Sequence, residues 1–136
     1  AAGPELEQYC RRYSPIALGN AVVTPGFRLP NSFVIHARAA HYITDEHPEK
    51  YLELAITRAL RVAKDAGIKS MAIPAVATGV FKFPPELAAE IILKALLSRA
   101  PEFPDITLVR ICVVDTQMQA VFQAALDRAA TGSVRT

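Results

Sequence analysis

"IPAVATGVFKFPP", residues 73–85, is the stretch on which the reading of this chain turns. An apolar run containing Pro74 opens into Ala77-Thr78-Gly79, passes Phe81 and Phe83 on either side of Lys82, and closes on Pro84-Pro85 ahead of a helical pattern. A strand that runs into a glycine turn with no hairpin partner, and then into a helix, has the form of a loop that offers its backbone to a ligand. Thr78, Gly79, Val80 and Phe81 supply consecutive backbone N–H groups. Glycine permits the positive φ that turns several of them toward one point, which makes a nest for phosphate oxygens. No Ser, Thr, Asp or Asn stands immediately before the Pro84-Pro85 pair, so the first N–H groups of the following helix lack a side-chain cap. The positive end of that helix favours an anion, although the two prolines donate nothing and Glu86 opposes it. The loop itself must therefore do most of the binding.

Working outward, Ala21 to Thr24 reads as a strand closed by the Pro25-Gly26 turn signal, and residues 32–39, "SFVIHARA", as a second. Leu52, Ile56, Ala59, Leu60 and Ala63 recur at helical spacing between Pro48 and Ala66, with Gly67 as the stop. Residues 70–76 are again an apolar strand, broken or edge-like near Pro74. Helix returns from Pro85 to Arg99, residues 106–114 form the longest β-branched run, and Thr116 to Ala129 is a last helix. A short helix opened by Pro4 runs to about Arg12, and residues 131–136 read as a frayed tail. This order predicts one α/β domain over residues 1–130, with βαβ crossovers, a largely parallel sheet and helices on both faces. Ligands in such sheets gather outside the carboxyl ends of the strands, which is where residues 77–83 fall.

Composition bounds the function. The 136 residues are 51% hydrophobic and 21% charged, a globular mix for one domain. Formal net charge is +2, and Arg11-Arg12 is the one adjacent basic pair, which argues against nucleic acid as the partner. Cys112 lies inside an apolar run and reads as a buried, reduced thiol, and with Cys10 far from it in the chain the expectation is a reducing compartment. No apolar run approaches a membrane span and the first residues lack the signal-peptide pattern, so a cytoplasmic protein without membrane contact is expected. The start at Ala1-Ala2-Gly3 fits Met removal or a chain whose beginning lies elsewhere.

Other residues invite chemistry and have plainer readings. His36, His41 and His47 lack the helical spacing of strong zinc motifs, so no metal and no cofactor is expected. His36 falls in a strand, where packing with a satisfied ring hydrogen bond accounts for it. Neither cysteine nor any serine sits in a nucleophile motif. Asp115 ends the last strand on the ligand side; it serves either as the cap of the following helix or, with Val114, as a ligand contact. Lys82 either adds charge to a phosphate or is simply solvated. Phe81 suits a ribose or base, and Phe83 suits packing against the following helix.

"GNAVVTPGFRLPNSFVIHA" followed by "SMAIPAVATGVFKFPPELAAEIIL" resembles the macro domain family, the ADP-ribose-binding fold. Gly19, Thr24, Gly26, Phe27, Leu29, Pro30, Val34, Ile35, His36, Pro74, Thr78, Gly79, Val80, Phe81, Phe83 and Pro84 carry the pattern. The resemblance implies a three-layer α/β/α sandwich and a ligand, ADP-ribose or a related nucleotide diphosphate, free or on an ADP-ribosylated protein. It also implies that Ala77 to Phe81 wrap the diphosphate and distal ribose. Ala77 stands where the family commonly has Ser, which removes one hydroxyl and leaves backbone donation intact.

The family pattern begins ahead of "AAGPELEQYC" with an edge strand, an inner strand ending in an Asn-rich motif and a first glycine-rich loop. Relative to the family, its first two strands are absent from this chain, so either the chain is part of a longer one or its four strands form a contracted sheet. Three functions follow from the resemblance. The first is ADP-ribose binding through residues 77–81. The second is removal of ADP-ribose, or of an acyl group from it, by a longer parent form, with this chain alone read as non-enzymatic. The third is an interaction or dimerisation domain that binds no nucleotide.

Overall fold

Ala21–Pro25 (β1) and Phe33–Ala37 (β2) pair antiparallel, with Thr24 opposite Val34 and Val22 opposite His36. The turn that joins them is closed by Gly26 N–H donating to Ser32 O at 2.8 Å and Leu29 N–H donating to Gly26 O at 3.0 Å. A Cβ on Gly26 would press into the Asn31 carbonyl, so glycine is there for close backbone approach. The computed structural model describes residues 3–11, 16–74, 82–113 and 115–135, of which 130–135 by backbone alone.

Pro4–Cys10 (α1) packs on β1, and Tyr9 meets Phe27 edge-on at 5.8 Å between ring centroids. Pro48–Asp65 (α2) lies against both β1 and β2. Its Leu52, Ala55, Ile56, Ala59, Leu60 and Ala63 are buried, the stripe expected of a helix with one face inward. The helix stops because Gly67 adopts a φ of 74° and turns the chain back. Gly67 N–H reaches Lys64 O at 3.0 Å and Ile68 N–H reaches Ala63 O at 2.9 Å, which satisfies two terminal carbonyls.

Ser70–Pro74 (β3) and Leu108–Cys112 (β4) pair in parallel, from Ser70 opposite Leu108 to Pro74 opposite Cys112. Pro85–Arg99 (α3) carries the chain between them, through a 3₁₀ turn at Ala100–Glu102, and Thr116–Arg135 (α4) follows β4. The helices α2, α3 and α4 share one core built from Leu52, Ile56, Phe83, Ala88, Ile92, Leu93, Phe122 and Ala125, with Ile111 and Val113 packed against it.

The class is α/β as expected, with two corrections. The strands do not form one largely parallel sheet: β1–β2 is an antiparallel hairpin, β3–β4 a parallel pair, and among the described residues no ladder joins the two. The Pro25-Gly26 signal closes a short hairpin, and a short hairpin can only pair its strands antiparallel, whereas a parallel pair needs a crossover such as α3. The contracted four-stranded sheet is therefore not formed among these residues. α4 continues as helix through Arg135. No proline stops α4, and each added residue gains a backbone bond once the helix is nucleated. Cys112, expected buried, is exposed, because it shares the open face of β4 with Leu108 and Arg110.

Candidate functional site

Parallel pairing puts the carboxyl ends of β3 and β4 side by side, at Pro74 and Cys112. From this edge the chain passes to α3 and to α4, so two helices take their first turns from the strand ends of one pair. Their beginnings differ chemically. At α4, Asp115 accepts from Met118 N–H through Oδ1 at 2.7 Å and from Gln119 N–H through its carbonyl at 3.1 Å, the full bonding of an N-cap. At α3 the N-cap is Pro84 and the next residue is Pro85; among the described residues no side chain caps it, and Ala88 N–H donates to Pro84 O at 2.9 Å. A carboxylate already sits on the positive end of α4, while among the described residues no side-chain acceptor sits on that of α3.

Lys82 and Phe83 lead into α3. Lys82 is exposed with a φ of 63°, a left-handed conformation rare for a residue with a side chain. The sequence reading of a solvated lysine agrees with its exposure, but its backbone twist has no sequence signal, since such a φ is usually read from glycine or asparagine. The twist lets the next residue turn inward: Phe83 is 2% exposed and lies against Tyr42 at 5.1 Å between ring centroids. Phe83 is thus the packing residue that anchors the loop's end, as its helix-staple reading expects.

Of the residues expected at the site, Asp115 is at the edge just described, with its side chain committed to the helix. Ala77, Thr78, Gly79, Val80, Phe81 and Val114 lie outside the described residues.

Away from this edge, His36 has the ring hydrogen bond expected of it, 3.0 Å from Nε2 to Thr24 Oγ1. The same nitrogen lies 3.5 Å from Cys10 Sγ. Burial holds the imidazole pKa below its ordinary value. The sequence reading named no partner for His36, because only the hairpin register and the docking of α1 bring Thr24 and Cys10 to it. Among the described residues no group of three or more His, Cys, Asp or Glu is placed to hold a metal, and no helix is long and apolar enough to cross a membrane.

Comparison with known proteins places the chain. The Macro domain family model matches residues 1–92. A macro domain-containing protein of Ralstonia nicotianae is 34% identical over 130 residues, 95% of this chain and 74% of that protein. A protein of Escherichia fergusonii named O-acetyl-ADP-ribose deacetylase is 40% identical over 101 residues, 71% of this chain and 57% of that protein. Among solved structures, the Oceanobacillus iheyensis macrodomain with ADP superposes with a TM-score of 0.90 at 26% identity, covering 97% of this chain and 73% of that one.

Proposed function

The chain belongs to the macro domain family, and on that premise we propose that it binds ADP-ribose, or a related nucleotide diphosphate, at the carboxyl ends of β3 and β4. The observation that carries this reading is the unequal treatment of the two helix starts. A cap residue neutralises α4, whereas α3 begins at two prolines with no side-chain acceptor among the described residues, and Thr78-Gly79 stands a few residues ahead of it in the sequence. An anion is the ligand such an arrangement favours. In this proposal the backbone N–H groups of Thr78, Gly79, Val80 and Phe81 hold the diphosphate, with Ala77 opening the loop and Phe81 against the distal ribose. Val114 and Asp115 contact the ligand from the β4 side, Asp115 through its backbone because its carboxylate is engaged. The Oceanobacillus iheyensis neighbour holding ADP supports the nucleotide class. An ADP-ribosylated protein is the physiological form of ligand this site would accept.

A thermal-shift titration tests it. A ligand that binds only the native state stabilises by mass action, about 2.7 kcal/mol at a hundredfold excess over Kd. ADP-ribose should raise Tm in a saturable way and ribose 5-phosphate should do so weakly. No shift with millimolar ADP-ribose on folded chain would sink the reading.

Hydrolysis is a second reading, favoured by the relative named as a deacetylase. It needs a base or a positioned water within hydrogen-bond reach of the scissile bond. At the described edge the one carboxylate of the β4 side, Asp115, is bonded into the first turn of α4. We expect this 136-residue chain to release no acetate from O-acetyl-ADP-ribose above background. Turnover abolished by Gly79→Val would show the opposite.

A further inference from the structure

Among the described residues, three that carry a side chain adopt left-handed backbone: Phe27 at a φ of 53°, His47 at 52° and Lys82 at 63°. Such backbone strains a residue with a Cβ and suits glycine. Two of the three have a local account. The ring of Phe27 meets Tyr9. Histidine is among the residue types that tolerate the region, and His47 O accepts from Tyr51 N–H at 3.3 Å at the start of α2. Lys82 has neither. It is exposed, and among the described residues its ammonium makes no ion pair, not even with Glu86 in the first turn of α3. Its twist accompanies the inward turn of Phe83, and a glycine would provide that twist without strain. The packing therefore has no use for a lysine side chain here.

The charge is out of place as well. Lys82 stands two residues ahead of the N-cap Pro84, at the positive end of α3, where a cation is repelled and an anion is held. An anion at this end attracts the lysine and the helix start together. We propose that Lys82 is a binding residue for the diphosphate of the ligand, through a charge-assisted contact from its Nζ, and that it gives the site its preference for charged ligands. The inference rests on the binding reading above, for which the Oceanobacillus iheyensis neighbour holding ADP supplies the ligand class. In the free chain the ammonium is solvated. On binding, its donors exchange water for phosphate oxygen, as a mobile point charge on a flexible stem allows.

Calorimetric titration of the intact chain and of variants at this position tests the assignment. Lys82→Gly should weaken ADP-ribose binding about tenfold. The same variant should raise the urea midpoint, since the strain leaves with the Cβ. Lys82→Met keeps the strain and drops the charge, and should lose about tenfold in affinity with the midpoint unmoved. Lys82→Arg should stay within about threefold of the parent, because the charge is kept. Added salt should weaken the parent more steeply than Lys82→Gly, because an exposed ionic contact is screened. Lys82→Gly or Lys82→Met binding within about twofold of the parent would leave Lys82 a solvated residue and overturn the assignment. Inorganic pyrophosphate, titrated beside ADP-ribose, separates this inference from the reading it rests on. Pyrophosphate bound with the same dependence on Lys82, while ADP-ribose is not bound, would keep the lysine contact and sink the nucleotide reading. Binding of neither would sink both.

Discussion

β1 and β2 pair across a short turn, bury Thr24 between α1 and the ring of His36, and are held by bonds between neighbours in the sequence. β3 and β4 meet only after the whole of α3 has intervened; beside the ladder, the bond from Thr107 Oγ1 to Lys69 O at 3.3 Å joins residues 38 apart in the chain. The first pair is closed locally and can be stiff without serving a ligand. The second gains its parallel order from the crossover, and that order is what sets two strand ends and two helix starts at one edge. The proposed site lies at the non-local pair because the carboxyl ends of parallel strands are where ligands gather in such sheets.

Substitutions can test this division, beginning with the largest effect. Phe83→Ala should cost about 3–5 kcal/mol in denaturant unfolding, since it empties a site that is 2% exposed in the shared helical core. A cost under about 1 kcal/mol would mean that Phe83 does not anchor the start of α3. Gly79→Val should weaken ADP-ribose binding at least about a hundredfold, near 2.7 kcal/mol, with a calorimetric titration as the readout. Its unfolding midpoint should barely move, and unchanged affinity would remove the loop from the site.

Gly26→Ala should do the reverse. Its Cβ meets the Asn31 carbonyl, so the hairpin has to open, at about 1–3 kcal/mol of stability. The folded fraction should still bind ADP-ribose with parental affinity, and a specific loss of binding would blur the line between scaffold and site. The smallest effect is expected of Asp115→Ala, about 1 kcal/mol of stability from the lost cap. A fall in affinity larger than that loss would place the carboxylate on the ligand as well.

Much of this was readable in the residues. The helical spacing from Leu52 to Ala63, the Gly67 stop and the uncapped start at Pro84-Pro85 all rest on near-neighbour chemistry, and the structure bears each out. Phe83 as a packing residue and Asp115 as a cap were legible for the same reason. The split into two strand pairs was not. Apolar strands of similar length look alike whether or not a ladder joins them, and pairing is set by which edges meet in space. Cys112 was misread because a continuous β-branched run implies two covered faces, and burial depends on what packs there. Lys82 carried no sign of its left-handed backbone, which accompanies the inward turn of Phe83.

The sequence by itself determined the elements, their order and the family pattern, because these depend on residues close together in the chain. Tertiary structure alone decided that β1–β2 and β3–β4 are separate, that the starts of α3 and α4 issue from one edge, and that Cys10, Thr24 and His36 touch. Those are contacts between residues distant in sequence, and their geometry is fixed only when the helices close on a common core.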